Sequence, residues 1–228
     1  MYSVPPRRID PAAIARRQLA AQGGTHRRLH PAAAWTAAVM LFLFSAVLLI
    51  AGIFEIAAHI QAGRLTSPWA WFGGALLAGL LCFCRYPLAP VYVFGHEMTH
   101  FLAAKLMGRR TGRVRLSWSN GYVEVPQPNA AIILSPYIFP FYLFLSAGLM
   151  GLVCLPLPPA LWPAAWKNAS ALWLGLCAAY HIVLTLRALS RTQSDLEHCG
   201  KPLSLALILS GNLLAARCAW WIALRLTA

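Results

Sequence analysis

The chain has 228 residues, 59% of them hydrophobic and only 11% charged, a balance that excludes an ordinary soluble domain and describes a polytopic membrane protein. Its formal charge of +13 does not point to nucleic acid, because the basic residues gather in runs that flank apolar segments. Basic juxtamembrane runs attract anionic headgroups and bias orientation, so the expected partner is the lipid bilayer.

Residues 1–32 form a basic arm carrying Arg7, Arg8, Arg16, Arg17, Arg27 and Arg28. It has no apolar run near its start, so it is expected to be a disordered or surface-lying tail and not a signal peptide. Residues 33–228 form the membrane-embedded domain. A spanning helix needs about 20 apolar residues, and six segments qualify: Ala33–Ile60, Trp69–Cys84, Leu88–Met107, Ala130–Leu155, Ala171–Leu189 and Leu203–Leu224. Trp69, Trp71, Trp162, Trp166, Trp220 and Trp221 fall near their ends, where indole rings favour the headgroup layer. Glu55 and His59, an i, i+4 pair near the end of the first span and close to Arg64, read as an interfacial polar cluster. The six cysteines show no disulfide or zinc-ribbon spacing, and all but Cys199 read as small apolar packing residues.

The third span contains His96-Glu97-Met98-Thr99-His100. Histidines at i and i+4 share one helix face and can hold one zinc ion, while the glutamate between them can act as base toward a water that the ion activates. Polar groups are costly in lipid, so two histidines and a glutamate placed there suggest chemistry more than helix packing.

After this helix come Lys105, Arg109, Arg110, Arg113 and Arg115, then Trp118-Ser119-Asn120-Gly121-Tyr122-Val123. Asn-Gly is a strong two-residue hairpin signal. A turn there pairs Trp118 with Val123 and Leu116 with Val125, setting Val114, Leu116, Trp118, Val123 and Val125 on one face and Arg113, Arg115, Ser117 and Glu124 on the other. Pro126 and Pro128 end the second strand, and Pro136 and Pro140 should kink the fourth span. His181, within the fifth span, is either a packing residue or a polar group lining the active-site cavity. A zinc site needs a third protein ligand, and few acids can supply it. Asp10 is in the arm, Glu55 in the first span and Glu124 in the hairpin, while Asp195 and Glu197 follow the fifth span beside His198 and Cys199.

The pattern His96-Glu97-x-x-His100, followed by Ala104 and Gly108, resembles the active-site helix of the site-2 protease family of intramembrane zinc metalloproteases. Thr99 stands where that family usually has glycine. The resemblance covers about Leu88 to Gly211 and implies Asp195 as third ligand, an aspartate at the membrane end of a later core helix. Ser-Asp-Leu replaces the family's Asp-Gly context, and Glu197, His198 and Cys199 stay open as alternatives. The resemblance also implies a membrane-associated β-hairpin whose edge pairs with extended substrate, giving Trp118, Tyr122 and Val123 as substrate-binding candidates, to which the cavity reading adds His181. The family's Gly-Pro motif is present here only as Pro136, without its later asparagine. No polar stretch is long enough for an inserted PDZ-like domain, so selection would fall to the membrane domain, the hairpin or an adaptor or regulatory membrane protein.

The resulting expectation is an all-α multi-pass protein of about six spans in a bacterial-type inner membrane. It would be a zinc endopeptidase with Glu97 as base and His96, His100 and Asp195 as ligands, acting on membrane-protein substrates. The alternative from another class is a non-proteolytic metal-binding membrane protein, a transporter or a catalytically silent regulator. A transporter would spread its ligands along a path, whereas these sit at one depth. The loops after the motif helix and the fifth span are rich in basic residues, which favours a cytoplasmic catalytic side, yet six spans would put the basic arm on the other side.

Overall fold

The computed structural model describes residues 31–63, 67–118, 120–154, 156, 158, 161–190, 195–196 and 200–227. Its elements run α1 (Pro31–Gln61), α2 (Ser67–Arg85), α3 (Ala89–Leu106), β1 (Val114–Leu116), β2 (Gly121–Val123), α4 (Ala130–Ile138), α5 (Phe141–Cys154), α6 (Ala164–Leu189) and α7 (Lys201–Thr227). The arm expected at residues 1–32 falls almost wholly outside the described residues.

Among the described residues α1, α2, α6 and α7 are long and apolar enough to cross a membrane, and α4 with α5 makes a fifth candidate if the bent pair counts as one span. The sequence reading counts six. The difference is α3, whose 18 residues reach about 27 Å at 1.5 Å per residue and whose His96, Glu97, Thr99, His100 and Lys105 lower its apolar character. The fourth predicted span exists as two helices at 71°. Pro136 lies inside α4 and Pro140 immediately precedes α5, where the missing N–H and the ring clash break the helical ladder.

Two helix pairs carry the bundle. The most extensive contact is α2 on α6, and small residues explain it: Ala75 and Gly79 on one helix meet Gly175 and Ala179 on the other. A Cβ on Gly79 would lie 2.7 Å from the Ala179 Cβ, and one on Gly175 would lie 2.5 Å from the Phe72 carbonyl oxygen. Small residues four apart let the two backbones close in, the usual means of helix association where burial from water gives no drive. Gly175→Ala should therefore destabilise. Its added methyl gains up to about 1 kcal/mol of helix propensity, but overpacking costs about 1–3 kcal/mol. A lower thermal midpoint in detergent checks this.

The second pair is α1 on α7. Ser45 and Ser210 hydroxyls meet at 2.8 Å, and Ser210 also donates to the Ala206 carbonyl. Toward the other end Glu55 ion-pairs with Arg217 and accepts from Trp220 Nε1 at 2.9 Å. His59 stacks on Trp220, which packs against Trp69. The polar cluster read around Glu55 and His59 is thus present, with Arg217 as its cation; Arg64 lies outside the described residues.

A third core joins α4, α6 and α7 through Ile133, Leu134, Tyr137, Ala188, Leu196 and Ile208. Asn129 caps α4, its side chain accepting from the Ile132 N–H at 2.9 Å. This core carries the segment between α6 and α7 into register with α3.

The ribbon after α3 is antiparallel, with Val114 opposite Val123, Arg115 opposite Tyr122 and Leu116 opposite Gly121. The expected pairing of Trp118 with Val123 and Leu116 with Val125 is not observed. Ser117 N–H donates to the Asn120 carbonyl at 2.8 Å, so the chain reverses two residues before Asn120-Gly121. The reason is visible at Gly121, which has no positive φ. A Cβ there would lie 2.7 Å from Glu97 Cγ and 2.8 Å from Val93 Cγ1, so glycine serves close approach to α3 and not a turn. The pairing is thus shifted by four residues, an even number that keeps the side-chain faces, and Val114 still shares one with Val123. Burial is uneven, however: Val123 is buried, whereas Val114, Leu116 and Trp118 are exposed.

Candidate metal centre

His96 and His100 project from one face of α3 with their Nε2 atoms 3.2 Å apart. Asp195 Oδ2 lies 3.8 Å from His96 Nε2 and 3.9 Å from His100 Nε2. The three form a group that could hold a metal ion. A point equidistant from three atoms so spaced is about 2.1 Å from each, the length of a bond from an imidazole nitrogen or a carboxylate oxygen to such an ion. Two imidazoles and one carboxylate leave a coordination position open, the pattern of catalytic sites. The donor set therefore fits the ion that the motif suggests.

Each donor is oriented by a partner. His100 Nδ1 lies 2.9 Å from the Ile132 carbonyl, and since a carbonyl only accepts, Nδ1 carries the proton and Nε2 keeps its lone pair for the site. Tyr137, fully buried, donates its hydroxyl to Asp195 Oδ2 at 2.9 Å, and its ring meets His96 edge-on at 5.5 Å. Thr99 ties its hydroxyl to the Gly95 carbonyl at 2.7 Å, so the residue that stands in for the family's glycine is absorbed within its own helix.

Asp195 reaches the histidines because its neighbour is anchored. Leu196 is buried in the α4–α6–α7 core, and its carbonyl accepts from buried Ser204 at 3.1 Å. Leucine in place of the expected glycine is thus a plug that fixes the position of Asp195. Glu197, His198 and Cys199, the other candidate ligands, lie outside the described residues.

Glu97, on the same helix, is buried against β2, and the Val123 backbone N–H donates to its carboxyl. The ladder makes this possible. Glu124 N–H donates to the Arg113 carbonyl and Ser117 N–H to that of Asn120, so by alternation Val123 and Gly121 occupy non-hydrogen-bonded pairs and turn their backbone groups away from β1. That edge of β2 lies against α3 beside the motif. Gly121→Ala should push β2 off Glu97 and, through a displacement of roughly 1 Å, lower any hydrolytic activity about 10²-fold while metal content stays the same. Metal analysis beside a cleavage assay separates the two effects.

The other sequence candidates divide. Val123 touches Glu97, and Tyr122 stands opposite Arg115. Trp118 sits at the ribbon's tip, 82% exposed, above a groove with Pro90, Phe94 and Leu116, and is not brought to the metal group. His181 lines a cavity that His96 also lines, and its Nε2 lies 2.9 Å from Asn212 Oδ1. Tyr137, Ile132 and Asn212 escape sequence reasoning altogether. No family model, curated protein or solved structure matches the chain.

Proposed function

We propose that the chain is an intramembrane zinc metalloprotease of the site-2 type, hydrolysing peptide bonds in or beside transmembrane segments of membrane proteins. The observation that carries this reading is the convergence of Asp195 on the α3 residues His96 and His100 within 3.2–3.9 Å, with the intervening Glu97 buried on the same helix. A second support is the setting of the donors, which meet among helices apolar enough to span a membrane. Two imidazoles with one carboxylate suit zinc, and a zinc ion held there would supply Lewis acidity to a water and to the scissile carbonyl.

The chain's own residues supply the rest. Glu97 accepts a proton from the attacking water as its oxygen bonds to the carbonyl carbon. It returns that proton to the leaving nitrogen as the C–N bond breaks, so the products are a carboxylate and an amine. Tyr137 and the Ile132 carbonyl hold Asp195 and His100 in place throughout. A peptide bond inside a helix is shielded, so the substrate must unwind locally before attack.

The test is metal analysis of the purified protein together with a cleavage assay on single-span substrates in liposomes. About one zinc per chain is expected, with cleavage lost on chelation and restored by zinc. Full activity in metal-free protein sinks the proposal.

A further inference from the structure

We propose that the cavity bounded by α3, the α4–α5 break and α6 is the side-chain pocket for the substrate residue adjoining the scissile bond, and that it selects an uncharged aliphatic residue of valine or leucine size. The inference rests on the protease reading and adds the class of substrate side chain.

The cavity starts at His96 and reaches His181, with Tyr92, Phe139, Phe141 and Leu184 among its walls. One wall is thus a metal-group residue, so a side chain seated there belongs to a residue next to the bond under attack. The lining looks polar in sequence but is less so in space, because four of its hydroxyls are already committed. Tyr142 donates to the Val91 carbonyl at 2.6 Å and Tyr180 to the Leu88 carbonyl at 3.0 Å. Tyr137 donates to Asp195, and Thr99 to the Gly95 carbonyl. What these residues present to an occupant is ring face and methyl.

His181 is pinned as well. Asn212 Nδ2 donates to the Tyr137 carbonyl at 2.7 Å and to the Ile208 carbonyl at 2.8 Å. Both of its hydrogens are therefore used, and its Oδ1 must accept, which makes His181 Nε2 the donor. The ring's Nε2 proton is fixed by a network joining α6, α7 and α4. A lysine or arginine side chain entering would lose its water with no carboxylate in the lining to meet it, and beyond the metal group a carboxylate would find no lysine or arginine there, a cost that disfavours both.

Size sets the other limit. The cavity has a volume of about 40 Å³, room for roughly three waters at about 10–15 Å³ each. Three or four carbons fill such a space, and a larger side chain has to project beyond it.

The experiment uses the full-length protein with single-span substrates carrying Ala, Val, Leu, Phe or Lys on either side of the cut. At one of the two positions Val and Leu should exceed Phe and Lys by at least about tenfold in kcat/KM. Leu184→Ala, which enlarges the cavity, should raise the rate with Phe, and Thr185→Leu, which fills it, should shift preference to Ala, both with unchanged metal content. A second readout does not depend on turnover. Cys177 lines the same cavity, and in a variant with the other five cysteines replaced by serine its methylthiolation should slow when a leucine-bearing peptide is added and not when the lysine analogue is. Protection by the leucine peptide without any cleavage supports the pocket and overturns the protease reading. Cleavage indifferent to both flanking positions, an unchanged ranking in Thr185→Leu, or equal protection by the two peptides overturns the pocket.

Discussion

Glu97→Gln keeps its metal and loses cleavage. The substitution leaves His96, His100 and Asp195 untouched and nearly preserves the side-chain volume against Gly121 and Val93, where a glycine Cβ would already collide with the glutamate. An amide still accepts the Val123 N–H but cannot take a proton from water, so the ribbon stays seated while the general base is gone. Loss of a general base costs about 10²–10⁴ in rate. Elemental analysis and initial rates on the same preparation check both halves. A variant with normal zinc and near wild-type turnover would show that Glu97 is not the base.

Asp195→Ala has the larger effect on the metal itself. It removes one of three donors and leaves two histidines that share a helix face but do not enclose an ion. An orienting partner is worth about 10–100-fold in affinity, so Tyr137→Phe, which deletes only the hydrogen bond to Asp195 Oδ2, should fall in that range. Asp195→Ala should exceed it, with activity abolished. Competition against a chelator of known affinity gives the order directly. If Glu197→Ala strips the metal and Asp195→Ala does not, the third ligand is misassigned and the proposed centre is wrong.

What the sequence could reveal was local. Histidines four apart stand out because helical periodicity alone sets their common face, and the scarcity of acids, with the family resemblance, narrowed the third ligand to the segment holding Asp195. The supporting contacts were not legible, since each closes a long loop: the Ile132 carbonyl is 32 residues from His100, Tyr137 is 58 from Asp195, and Arg217 is 162 from Glu55. No local pattern encodes such pairs. The ribbon failed for a different reason. Asn-Gly is a turn signal because glycine tolerates positive φ, but Gly121 is needed for its missing Cβ over Glu97, and that tertiary demand moved the reversal to an earlier point in the chain. The break in the fourth predicted span was foreseeable from Pro136 and Pro140, while its 71° angle depends on how α5 meets α3 and α6.

The bundle's two helix pairs give the metal centre a second role in thermodynamic linkage. The segment bearing Asp195 runs from α6, clamped to α2, into α7, clamped to α1, while both histidines ride on α3, which none of those four helices carries as its principal partner. An ion shared by His96, His100 and Asp195 therefore staples α3 to the connection between the pairs. Binding that requires all three donors in place would act on the folded arrangement alone, and stability would then rise with the free metal as RT ln(1 + [M]/Kd), about 2.7 kcal/mol at a hundredfold excess over Kd. Metal supply would thus set not only how many molecules can act but also how long the assembled bundle persists.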